Sequence, residues 1–199
     1  MKKIIIPVDF SKHSEYALET AAALAKQHNA ELVVMHMLEL SESILTSSSS
    51  DRNEETAFML MVASKKFETF LDKSYLEGVS VTPLIKHHKV LKEVAEVANQ
   101  IKADLIVIGS RGHSDHDGIF TGSNTEKVVR YSETPVLVVK SKLESVNFNT
   151  IVLATDFSEI MGKKFIDKTC WFFLNSVGVH PFFFLKILLK FERLLNPHS

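Results

Sequence analysis

The chain predicts a doubly wound α/β fold: a five-stranded parallel sheet in strand order 3-2-1-4-5, with helices on both faces and an atypical C-terminal tail. Three observations lead there. Short β-branched runs alternate with stretches of helical periodicity, the pattern of parallel strands joined by right-handed crossovers. The strands are almost continuously apolar, as strands buried on both faces must be. One of them runs into a spaced glycine set that opens a helix, Gly109-Ser-Arg-Gly112 and, after nine residues, Gly122-Ser123-Asn124.

Lys3–Val8 is the first strand, ending at Asp9, and Ser11 stands where a helix N-cap belongs. The apolar spacing of Tyr16, Ala17, Thr20, Ala21 and Leu24 continues as a helix. Glu31–Met37 is the second strand. Ser41–Asn53, with serines at Ser47–Ser50, reads as a loop. Glu54–Leu76 has helical composition, with Phe58, Met61, Val62, Phe70 and Leu71 on its core face, and Gly78 ends it. Val79–Lys86 is the third strand. Val90, Leu91, Val94, Val97, Ala98 and Ile101 trace a helical stripe before the fourth strand, Asp104–Ile108. A helix over Thr125–Arg130 and a fifth strand at Pro135–Val139 complete the unit. In such sheets ligands bind beyond the carboxyl ends of the strands, where the winding direction reverses. That reversal falls between strands one and four, whose ends carry Asp9 and Gly109.

With 199 residues the chain has room for one ordinary α/β domain and a remainder too short for a second of similar size. A net charge of −1 gives no electrostatic case for nucleic acid. The single cysteine, Cys170, excludes an internal disulfide framework and a cysteine-rich metal site. Only three apolar residues separate Lys3 from Pro7, too few for a secretory core, and a cytoplasmic location is expected.

The chemistry-bearing residues gather at the predicted crevice. Gly109 and Gly112 permit a tight turn and a close backbone approach to a ligand. Gly122 and Ser123 present N–H groups at a helix start, where the dipole favours phosphate; Ser123-Asn-Thr-Glu126 is equally a capping box. Asp9 has two readings, an acceptor for ribose hydroxyls or an Asx-turn and helix cap. Met37 lies against an adenine ring or in the core, and Arg111 meets phosphate or solvent. His113, Asp115, His116, Asp117 and the pair His87-His88 are types that bind Zn²⁺ or Mn²⁺, but they lack a ligand register and read as solvated surface, so no protein-held metal site is expected. No Walker-type phosphate loop, nucleophile elbow or metalloprotease helix occurs, and no residue stands out as catalytic.

These residues resemble the universal stress proteins over about Met1–Lys140. The marks are Ile-Pro-Val-Asp9, the Gly-x₂-Gly-x₉-Gly-Ser spacing of the family's ATP-binding branch, and Thr134-Pro-Val-Leu-Val-Val139. The resemblance implies that Pro7, Val8, Asp9, Met37, Ile108, Gly109, Gly112, Gly122, Ser123 and Asn124 line ATP, with Mg²⁺ or Mn²⁺ accompanying its phosphates. It implies a homodimer through Pro135–Lys140, an otherwise open sheet edge, unless the tail blocks it. The role implied is a nucleotide-dependent stress-response switch with little or no turnover. The alternatives are a nucleotide-independent dimeric scaffold and a slow ATPase.

Ile4-Ile-Ile-Pro-Val-Asp-Phe-Ser11 recurs as Ile151-Val-Leu-Ala-Thr-Asp-Phe-Ser158. The chain therefore divides into a nucleotide-binding domain (1–140), a linker (141–149) and a second copy that starts at Thr150 and loses the pattern after Glu159. From Ile160 onward six Lys and Arg stand against two Asp and Glu, and half of the 14 phenylalanines fall there. Lys186, Lys190 and Arg193 recur at helical spacing within Phe182–Leu195. This segment reads as an amphipathic helix on a membrane surface or a partner, or as the product of a truncation or frame change. It is too short and too charged to span a bilayer.

Overall fold

The computed structural model describes residues 1–38, 48–87, 92–110, 123–143, 146, 151–153, 170–174 and 183–187. In chain order the elements are β1 (Lys3–Val8), α1 (Lys12–His28), β2 (Glu31–Leu38), α2 (Ser49–Leu71), a 3₁₀ turn at Ser74–Leu76 and β3 (Val81–His87). They continue with α3 (Lys92–Gln100), β4 (Leu105–Gly109), α4 (Ser123–Tyr131), β5 (Val136–Val139), β6 (Ile151–Leu153), β7 (Cys170–Leu174) and β8 (Phe183–Ile187).

The five predicted strands are parallel and lie in the predicted order, β3-β2-β1-β4-β5. β1 sits at the centre because its side chains are apolar toward both faces. Ile4 and Ile6 join Leu18, Ala21 and Phe67 beneath α1 and α2. Ile5 points the other way, to Met35, Val94, Ala98 and Val128 beneath α3 and α4. Each Ile, Leu, Val, Met or Phe among them contributes roughly 1.5–3 kcal/mol by leaving water. Asp104 fastens the start of the central pair: its Oδ2 accepts the backbone N–H of Lys2 at 2.6 Å and of Lys3 at 3.0 Å.

α2 differs from expectation at its start and in its face. It begins inside the serine run, because the Ser48 hydroxyl accepts the Asp51 N–H at 3.3 Å and donates to the Asp51 carboxylate at 2.7 Å, closing the first turn. Its buried residues are Ala63, Phe67 and Phe70; Phe58 and Met61 are 60% and 62% exposed, and Val62 is 36% exposed. Only the C-terminal half of the helix packs on the sheet.

The tail continues the same sheet, and this corrects the helix expected within Phe182–Leu195. Phe183–Ile187 is a strand, not part of a helix, and β8 pairs antiparallel with β5 through Val136↔Lys186, Leu137↔Leu185 and Val138↔Phe184. The edge on which a second copy was expected to pair is thus occupied from within the chain. β7 pairs with β8 and β6 with β7, both antiparallel, giving eight strands among the described residues. A run of Phe, Leu and Ile beside an open edge finds a ladder partner, which outweighs its helical charge spacing. Residues 188–195 lie outside the described residues.

Candidate functional site

The crevice is built from the turn that follows β1. Ser11 is the N-cap of α1, its side chain accepting the Ser14 N–H at 3.3 Å. Asp9 is not the cap: its Oδ1 accepts the Ser11 N–H at 3.0 Å, forming the Asx-turn. Between them Phe10 takes a left-handed backbone conformation, φ 62°. That turn aims its ring at α2, edge-on to Phe67 at 5.1 Å and Phe70 at 5.4 Å, and 4.4 Å from the ring of His36. His36 is fixed from its other side. Its Nδ1 lies 2.8 Å from the Val8 carbonyl, which can only accept, so Nδ1 carries the proton.

Above this turn lies a cavity of about 520 Å³. Met37 and Leu38 at the end of β2 face Phe58, Met59, Val62 and Ala63 of α2 to form an apolar slot. Asp9, His36, Lys66 and Asn124 supply polar groups. A site with one apolar end and a few convergent polar groups suits an amphipathic ligand of the size and character of a nucleoside. The side chains expected in the core of α2, Phe58 and Val62, are therefore walls of the cavity.

The opposite rim comes from β4 and α4. Gly109 is buried, and a Cβ there would lie 2.7 Å from the His13 carbonyl oxygen. The glycine thus lets the first turn of α1 pack against β4; the close approach is to protein backbone. Thr125 ties α4 to the same point, its hydroxyl donating to the Gly109 carbonyl at 2.8 Å. Glu126, which a capping box would turn back toward Ser123, accepts from Arg130 one turn on at 2.6 Å.

Of the residues predicted for the site, the structure brings Asp9, Met37 and Asn124 together on the cavity lining. Ser123 is the first residue of α4. Pro7, Val8, Ile108 and Gly109 lie in β1 and β4 and are not among the described lining residues. Gly112, Gly122, Arg111, His113, Asp115, His116, Asp117 and His88 fall outside the described residues. Sequence reasoning missed His36, Leu38, Met59, Ala63 and Lys66; the i, i+4 spacing of Met59 and Ala63, and of Phe58, Val62 and Lys66, was the available signal. Among the described residues no group of three His, Cys, Asp or Glu could hold a metal ion, and no helix is long and apolar enough to cross a membrane.

Residues 1–140 match the model of the universal stress protein family. The chain is 30% identical over 155 residues to universal stress protein MJ0577 of Methanocaldococcus jannaschii, covering 71% of this chain and 96% of that one. It is 30% identical over 151 residues to universal stress protein YxiE of Bacillus subtilis, covering 69% and 98%. The solved structure of MJ0577 aligns with a TM-score of 0.62 and 32% identity over 72% of this chain and 98% of that one. A universal stress protein from Archaeoglobus fulgidus, solved in complex with dAMP, shares the fold at 21% identity and a TM-score of 0.50, covering 70% and 98%.

Proposed function

The chain belongs to the universal stress protein family, and we propose that it binds ATP in the cavity beyond β1 and β2 and acts as a nucleotide-dependent stress-response switch. The observation that carries this reading is the convergence of Asp9, Met37 and Asn124, from three separate elements, on one cavity of about 520 Å³. In this reading Met37, Leu38 and Phe58 hold the base by apolar contact, and Asp9 accepts from the ribose hydroxyls. The phosphates lie toward the start of α4, where backbone N–H groups and the helix dipole favour negative charge. The residues fit the ligand in kind: an apolar slot for a ring, a carboxylate for hydroxyls and a helix start for anions. Mg²⁺ or Mn²⁺ would come with the phosphates and supply charge neutralisation there.

The absence of a recognisable base motif in the sequence supports slow or negligible turnover, so bound ATP persists as a signal. Residues 1–140 are the nucleotide-binding unit in this proposal, 141–149 a linker, and 150–199 the start of a second copy with a divergent tail. A cytoplasmic location belongs to the same proposal. Isothermal titration of ATP into the wild type and Gly122→Val tests the assignment. Binding by the wild type and at least tenfold weaker binding by the variant are expected. No binding by the wild type overturns the function, and equal binding by both overturns the site.

A further inference from the structure

A second cavity, of about 550 Å³, lies on the other side of Asp9, between α2 and the turn after β1. Its walls carry Lys65, Lys66 and Thr69 from α2 and Lys73 just beyond it, with Phe10 and Phe70 among the apolar lining. Among the described residues Asp9 is the single carboxylate on the lining, and its Oδ1 is engaged by the Ser11 N–H. Lys73 is neutralised by Glu15, 2.6 Å away. Among the described residues no carboxylate forms an ion pair with Lys65 or Lys66. The Lys66 ammonium stands 5.8 Å over the Phe10 ring. Phe10 is held at φ 62°, a conformation that L residues rarely adopt. Such strain persists where surrounding packing imposes it, and it clusters at ligand clamps. Here it presents an aromatic surface beneath an ammonium group, at the boundary of the two cavities.

We propose that this compartment binds a small phosphoanion, with Lys65 and Lys66 as its charge partners and the Thr69 hydroxyl as a neutral donor. Lys65 and Lys66 both line the compartment, and an anion held there gains Coulomb attraction from each. The compartment shares Asp9, Val62 and Lys66 with the first cavity, whereas Lys65 and Thr69 line only the second. The proposal stands whether or not the first cavity takes ATP.

Inorganic triphosphate, without a nucleoside and without divalent ions, is the probe. Calorimetric titration is expected to show binding by the wild-type chain that weakens as salt is added. Lys65→Glu is expected to bind triphosphate about tenfold more weakly, the effect of losing one charge-assisted contact. Lys65→Arg is expected to bind like the wild type. Lys65 is exposed, so an unchanged melting temperature verifies that the variant is folded. No binding by the wild type, or equal affinity in Lys65→Glu, overturns the proposal. Loss of triphosphate binding in Gly122→Val also overturns it, since the anion would then occupy the place proposed for a nucleotide's phosphate tail. Triphosphate binding without ATP binding supports this compartment and sinks the proposed function instead.

Discussion

Gly109→Ala asks whether this glycine serves a ligand or the packing of α1. The added Cβ would lie 2.7 Å from the His13 oxygen, 2.8 Å from its carbonyl carbon and 3.2 Å from its Cβ. The two nearest atoms are backbone, and they belong to the first turn of a helix whose next residue, Ser14, is hydrogen-bonded to the N-cap. No side-chain rotation relieves the clash, so α1 must shift away from β4 as a body. Overpacking of this kind costs about 1–3 kcal/mol. In a chain of this size each kcal/mol lowers the melting temperature by roughly 2–4 °C, which predicts a loss of roughly 2–12 °C. The assay is thermal unfolding of the ligand-free protein by circular dichroism. Gly78 is the control: it has φ 77° and nothing within 4 Å of its Cβ position, so Gly78→Ala reports backbone strain without a clash. An unchanged melting temperature for Gly109→Ala, with ATP binding lost, would refute the packing argument and return Gly109 to the ligand.

Two further predictions concern the sheet. Burial alone would raise the pKa of Asp104, but the Lys2 and Lys3 N–H groups, the terminal amine and the Lys2 charge outweigh it and hold the carboxyl below its ordinary value. A lowered pKa stabilises the fold above the unfolded value, and the stability is lost as pH falls through the folded one. Wild type should therefore melt above Asp104→Asn at pH 7, and the gap should close below about pH 4; a gap constant from pH 7 to pH 2 contradicts this. Separately, a chain ending after Val146 lacks β8 and leaves Val136–Val139 as an open apolar edge. Sedimentation velocity should then show a dimer where the full chain sediments as a monomer, and a monomeric truncated chain would rule out pairing through this edge.

The parallel half of the sheet was legible because its strands carry their own signal, apolar runs bounded by turn residues. Strand order followed from the single reversal consistent with right-handed crossovers. α2 was legible as a helix but not in its orientation. Phe58, Met61 and Val62 repeat as a core face would, yet they stay exposed, and only contacts made elsewhere in the chain decide which apolar residues are covered. Gly109 was read through its neighbours in sequence, while the atom that requires it belongs to His13. Phe10 and His36 gave no sequence signal, because their roles depend on a positive φ and on a carbonyl from an adjacent strand. β8 was hidden for a related reason: strand formation there depends on β5, an edge nearly fifty residues away in the chain.

β8 meets β5 only at Val136, Leu137 and Val138, while Val139 continues to pair with Gly109 and accepts the Ser110 N–H at 2.9 Å. The tail therefore seals the flank of the sheet and stops one residue short of the end on which the crevice opens. Ladder hydrogen bonds read main-chain groups and are nearly indifferent to side-chain identity. The tail is thus held at this flank through its main chain, and little beyond strand propensity constrains its composition there.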